Sequence, residues 1–274
     1  MGFEDILVHL DSASRSEVRL DVAAGLAQRF AARLTGLFGE SAAHALSIAT
    51  RDPERELAEA IADAEALFRR RTQASAFQSD WHALATVNDT ELLKQTVFAA
   101  RHADLTVLGQ HDPELKSIGV PADFAEQIVL HSGRPVLVVP FAGDFEAIGK
   151  RIVVAWNASR EAARALADAM PLLAKAERIT LIAINPAKIE LPYGHEHFTA
   201  LIAHLAVHGI DARTERLAAG DVGAMDLLLS RLTDEAADLL VLGAHGQYGF
   251  PYLHRGGATR HILRHMTVPV LMSN

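Results

Sequence analysis

The chain contains no cysteine, which excludes disulfide bridges, a thiolate nucleophile and cysteine-ligated zinc. That absence fits a reducing compartment, so a cytoplasmic protein is expected. No apolar run approaches the roughly 20 residues needed to span a bilayer. The opening MGFEDILVHLDS carries acidic residues and a short apolar run, where a secretory leader requires a basic start and a longer apolar core. Positive charge is also in deficit, with 26 Lys and Arg against 34 Asp and Glu, a formal net charge of −8. Nucleic acid and anionic lipid are polyanions, so this balance argues against general affinity for either, and no membrane or nucleic-acid partner is expected. Any phosphate site has to be local. Also missing are the GxxxxGK[ST] and GxGxxG nucleotide loops, the GxSxG nucleophile elbow and the HExxH zinc pair.

Apolar surface is plentiful. Half of the 274 residues are hydrophobic, enough for one large core or two of about 140 residues each. Internal repetition selects two. Ala103-Asp104-Leu105-Thr106-Val107-Leu108-Gly109 recurs 134 positions later as Ala237-Asp238-Leu239-Leu240-Val241-Leu242-Gly243. Arg134-Pro135-Val136-Leu137-Val138 recurs at the same offset as Val268-Pro269-Val270-Leu271-Met272. The openings, Asp5 to Asp11 and Arg151 to Asn157, match at an offset of 146. The first half therefore holds about a dozen extra residues, placed in the charge-rich helical stretch Asp52 to Arg71. That stretch reads as a solvated face whose length can also cover a pocket. The chain is a tandem duplication with domains at 1–143 and 149–274, joined across FAGDFEAIGK.

Each half alternates strand and helix. In the second, strands are expected at 152–156, 179–184, 212–217, 239–242 and 268–272, with helices at 159–174, 198–208, 222–236 and 258–266. Strands this apolar belong to a doubly wound parallel sheet covered on both faces, with ligands at the strands' carboxyl ends. At such an end Leu239-Leu240-Val241-Leu242 passes into GAHGQYGFPYLHRGGAT, residues 243–259. Glycine lets a backbone approach a pyrophosphate, and the free N–H groups of the next helix attract anions. The same glycines read equally well as tight turns at a strand end.

With the strand opening, the A-D-L-x-V-L-G strand and the P-V-L ending in both halves, and with Gly243, Gly246 and Gly256 meeting the spacing G-x2-G-x9-G, the chain resembles the universal stress protein family in its tandem form. The resemblance implies five-stranded α/β domains of adenine-nucleotide alpha-hydrolase-like type that pair through their last strands. It also implies a role in stress survival, and binding of ATP in many members. Carried over by position, it places adenine and ribose contacts at Ala155, Asn157 and Ile184, and phosphate contacts at Gly243, Gly246, Gly256, Gly257 and Ala258. Asn157 stands where the family has Asp, and Gly257 where it has Ser or Thr. The lost hydroxyl is worth about 0.5–1.5 kcal/mol, and Thr259 is a further hydroxyl position that compensates. His245, within the loop, and His254 with Arg255, just before Gly256, are placed to contact phosphates, to cap the loop or to face water. Trp156 is placed to stack on adenine or to fill the core rim. The expectation is ATP or another adenine nucleotide, with or without magnesium, bound more weakly than in the family at large.

In register with that loop the first half has Asp112, Ala122 and Asp123 for Gly246, Gly256 and Gly257, and prolines at 113 and 121. Carboxylates repel a polyanion and proline removes N–H donors, so this half is expected to be a degenerate domain without ATP, although Asp11 keeps the family's acid. One nucleotide per chain, an internal pseudo-dimer of the halves and an optional homodimer follow. Of fourteen histidines, His204 with His208 and His261 with His265 share helix faces, and His195 and His197 flank Glu196. Two histidines at i and i+4 can ligate zinc, but without a fixed third ligand they read as surface residues and no metal site is assigned. Ser159 reads as a helix N-cap, and no catalytic residue is named. The alternatives to a nucleotide-binding regulator are a structural, partner-binding protein with no nucleotide, and a slow ATPase.

Overall fold

The computed structural model describes residues 2–41, 53–84, 88–114, 119–145, 147–184, 197–220, 223–246 and 257–274. It divides into two compact units, Met1–Glu146 and Ala147–Asn274.

The first unit runs β1 (Asp5–Leu10), α1 (Ser16–Phe30), β2 (Arg33–Phe38), α2 (Pro53–Thr72), β3 (Ser79–Ala83), α3 (Asp89–Ala100), β4 (Leu105–Gly109), α4 (Phe124–Ser132) and β5 (Val136–Val139). All its paired strands are parallel, in the order β3-β2-β1-β4-β5. Ile6, Leu7, Val8, His9 and Leu10 are buried in succession, so both faces of β1 are covered, as the apolar runs required. Helix α1 packs on β1 and on α2, and α3 packs on α4. The charged stretch expected to be helical is α2. It buries Ala64, Phe68 and Thr72 and turns Arg71 outward to pair with Asp21 at 2.7 Å.

The second unit repeats the plan with β6 (Arg151–Ala155), α5 (Arg160–Leu173), β7 (Arg178–Ile184), α6 (His197–Val207), β8 (Arg213–Leu217), α7 (Ala224–Asp234), β9 (Leu239–Gly243), α8 (Gly257–His265) and β10 (Val270–Ser273). The order is β8-β7-β6-β9-β10, again parallel. The expected α/β class, with five strands in each half, is what the chain adopts. The repeated Asp of the A-D-L motif has a physical job in each unit. Asp104 Oδ2 accepts from the Glu4 and Asp5 N–H groups at 2.9 and 3.1 Å, and Asp238 accepts from Gly149, Lys150 and Arg151. These bonds fasten the start of each unit's first strand beside the strand that follows the motif. In both units the strand order reverses between β1 and β4, or β6 and β9, which opens a crevice at the carboxyl ends.

Candidate nucleotide pocket

In the second unit β6 ends at Ala155 and the chain turns at once into α5. Asn157 Oδ1 accepts from the Ser159 N–H at 3.1 Å, and Ser159 Oγ caps the helix by accepting from the Ala162 N–H at 3.1 Å. This drives the start of α5 against the end of β9. A Cβ built on Gly243 would stand 2.4 Å from Ala162 N and 2.5 Å from Glu161 C. Backbone cannot yield there, so only glycine lets β9 end at this point. Beyond it the Ala244 N–H donates to Ser273 O at 2.8 Å. His245, at φ 57°, donates its N–H to Thr259 Oγ1 at 3.0 Å. The loop's first residues are thus fixed to β10 and α8 before the loop leaves.

Ten of the eleven residues expected at a nucleotide site line one pocket in this corner: Ala155, Trp156, Asn157, Ile184, Gly243, His245, Gly246, Gly257, Ala258 and Thr259. Gly256 lies outside the described residues, as do His254 and Arg255. Gly257, Ala258 and Thr259 open α8, and its first turn contains no acid. Their N–H groups lack intrahelical acceptors and sit at the positive end of the helix dipole, an arrangement that attracts anions. Thr259 is buried and its oxygen accepts from His245, which leaves the hydroxyl proton to donate. Asn157 spends Oδ1 on the turn at Ser159. Trp156 is half-buried at the pocket wall, and its Nε1–H has no hydrogen-bond partner among the described residues.

The opposite wall was not expected. Ile182 of β7, Met225 and Leu228 of α7 and Leu242 of β9 make it apolar. The signal for Ile182 was present, since it precedes Ile184 by two and shares its strand face. Met225 and Leu228 form an i, i+3 pair, which by itself reads as ordinary core. The pocket therefore joins apolar side chains of β7, α7 and β9 to the backbone of Gly246 and the first turn of α8.

Each histidine pair brings its two rings together, with centroids 5.0 Å apart for His204 and His208 and 4.7 Å for His261 and His265. His261 Nε2 pairs with Asp226 Oδ1 at 2.8 Å. No group of three metal-ligating side chains assembles among the described residues. His195, Glu196 and the side chain of His197 lie outside them.

The matching corner of the first unit is narrowed by its own side chains. At the repeat offsets His9 stands for Ala155, Arg19 for Ala165 and Phe124 for Ala258. The His9 ring packs on Phe124 at 4.9 Å between centroids, and its Nε2 bonds Gly39 O at 2.9 Å. Arg19 Nη2 pairs with Asp11 Oδ1 at 2.6 Å, with side chains only 5% and 2% exposed. Its Nη1 lies 2.6 Å from where a Cβ would stand on Gly109. Asp11 makes the turn that Asn157 makes, accepting from the Ala13 N–H at 3.0 Å. Burial lowers the pKa of His9 to about 4, Arg19 adding to the effect and Asp11 opposing it. Burial raises that of Asp11, but Arg19, His9 and the Arg19 and Ser16 hydrogen bonds outweigh it, and the net shift is downward. Burial raises the pKa of Glu40. Asp112 lines the small pocket left beside Asp11 and Arg19. Asp123 is exposed and accepts from Gln127 at 2.9 Å. Asp11, Asp112 and Asp123 stood out in the sequence, whereas Arg19 and His9 did not.

Residues 149–274 match the model of the universal stress protein family. Among solved structures, a universal stress protein from Archaeoglobus fulgidus DSM 4304 is similar at 16% identity and a TM-score of 0.76, over 98% of this chain and 96% of that one. A functionally unknown protein from Pseudomonas aeruginosa PAO1 is similar at 16% identity and a TM-score of 0.58, over 99% and 92% of the respective chains. At these identities the likeness establishes the fold, over both halves. Among curated proteins none matches the sequence significantly.

Proposed function

With residues 149–274 belonging to the universal stress protein family, we propose that the second half binds an adenine nucleotide, ATP foremost, and that the protein is a stress-responsive regulator acting through that bound state. One observation carries the reading. Ile182, Ile184, Met225 and Leu228 form an apolar slot for a base beside the N–H-rich rim of Gly243, Gly246 and the first turn of α8. In the same reading the first half is a nucleotide-free pseudo-domain paired with the second, and the setting is cytoplasmic.

The test is thermal unfolding with ATP, AMP or a cyclic adenine nucleotide and magnesium, followed by Trp156 fluorescence in a Trp81→Phe background. The chain has two tryptophans, so only the second half then reports. Ligand at about 100 times Kd adds about 2.7 kcal/mol to the native state. A raised melting temperature with at least one nucleotide is expected. It should vanish in Gly246→Asp, which copies Asp112 and places a side chain 3.1 Å from Glu161 Oε2 at its Cβ. No rise with any nucleotide contradicts the reading.

A further inference from the structure

Another open space lies in the first half. Between the outer strands β2 and β3 and helix α3 runs a groove of about 670 Å³, a volume ordinary for small-molecule sites. Its floor is apolar, with Leu7 and Leu37 each 3% exposed. Its wall carries Phe98, which is 65% exposed and, with Val207, one of two large apolar side chains left open among the described residues.

The second half ties the same place together with polar bonds. There Thr180 Oγ1 donates to Glu235 Oε2 at 3.1 Å, and Arg231 reaches Glu215 at 2.8 Å and Glu235 at 3.0 Å. These bonds strap β7 and β8 to α7 and the turn after it. In the first half Thr35 takes the place of Thr180 in the strand pairing, and Val97 and Arg101 stand for Arg231 and Glu235 at the repeat offset. Val97 is buried, and Arg101 turns to His131 O at 3.1 Å. The strap is missing among the described residues, and the face of β2 and β3 stays open beside α3.

The charges of the lining set the class of ligand. Arg33 is paired with Asp5 and lies 3.6 Å from Asp80, so this cation is already neutralised. Glu91 Oε1 accepts from Gln95 Nε2 at 2.7 Å. Lys94 is then the one charged group of the lining without a bond among the described residues. A polyphosphate does not suit the groove. Asp5, Asp80 and Glu91 repel a polyanion, no glycine loop lines it, and the first turn of α3 is occupied by Asp89 and Glu91. A single carboxylate on an apolar body matches one lysine beside a leucine floor and an open phenylalanine ring.

We propose that this groove binds a small amphipathic carboxylate, its head on Lys94 and its apolar body over Leu37 and against Phe98. The site is separate from the second half's pocket and does not depend on how that pocket is read. It is tested by calorimetric titration of decanoate, and of decylamine as the cationic counterpart, into the full chain as wild type, Phe98→Ser and Lys94→Gln. Both side chains are exposed, so the melting temperatures without ligand should match and binding differences should report the groove. One decanoate per chain is expected, with decylamine at least about fivefold weaker. Each variant should weaken decanoate at least about fivefold, and Lys94→Gln should also erase the preference for the carboxylate. Absence of saturable decanoate binding, decanoate binding unchanged in either variant, or decylamine binding as tightly as decanoate to the wild type overturns the proposal.

Discussion

The two halves of this chain share a sheet order, a strand-anchoring Asp and a turn built on Asp11 or Asn157. They differ in what fills the crevice where the strand order reverses. In the second half Ala155 and Ala258 line an open pocket, and Ala165 is buried in α5. In the first, His9, Phe124 and Arg19 stand at those three positions and narrow the corner through a ring contact and a buried ion pair, leaving the smaller pocket beside Asp11 and Arg19. The contrast teaches that larger side chains at three positions take up space in one crevice that small residues leave open in the other, whatever the charge of the loop beside it. Asp123, one of the two acids that marked the first half as degenerate, is exposed. The filling of the space is done by residues on the first strand and the two helices.

The strongest way to break this comparison is at Arg19. Arg19→Met strands the Asp11 carboxylate without its cation, and losing one partner of a buried pair costs about 3–5 kcal/mol. Urea unfolding followed by Trp81, which packs on Phe68 at 5.4 Å, should register that loss in the first half. Arg19→Met combined with Asp11→Asn should recover part of it. A change below about 1 kcal/mol in the single variant, the size of an exposed pair, would mean that the ion pair does not hold this half closed.

Acid sharpens the comparison with a smaller effect. His9 faces Asp11, Arg19, the Phe124 ring and Gly39 O, and its pKa falls from 6.5 to about 4 on folding. Between those values the unfolded chain binds more protons than the folded one, so first-half stability rises with pH and is lost as pH falls from 6.5 toward 4. The loss from His9 is about 2 kcal/mol at pH 5, and near 3 once pH is below both values. Asp11, also lowered, takes further stability away below its ordinary 3.8. Glu40, raised, acts in the opposite sense. Melting of the first half between pH 7 and 5, followed by Trp81, should show this slope, and His9→Gln should flatten it. An unchanged slope in the variant would assign it to other groups.

Much of the fold was legible because apolar periodicity and the repeat point the same way. The helix expected at 258–266 is Gly257–His265, and the strand expected at 179–184 is Arg178–Ile184. The last strand begins at Val270 rather than 268, since Pro269 has no N–H to donate and only its carbonyl joins the ladder, accepting from Leu240. The pocket's glycine rim was legible because glycine at a strand end has few other uses. Its apolar wall was not, because Met225 and Leu228 come from a helix whose spacing is that of ordinary core. Arg19 was hidden for a related reason. In SEVRLDVAAG it reads as the exposed face of an amphipathic helix, and only the closeness of Gly109 and Asp11 in space shows it to be buried.

The most direct measurement is the stoichiometry of ATP binding by equilibrium dialysis with magnesium, on the wild type and on Gly246→Asp. An open second half and a self-filled first half predict one nucleotide per chain in the wild type and none in the variant. Two per chain, none in the wild type, or one that survives Gly246→Asp would contradict the division of roles between the halves.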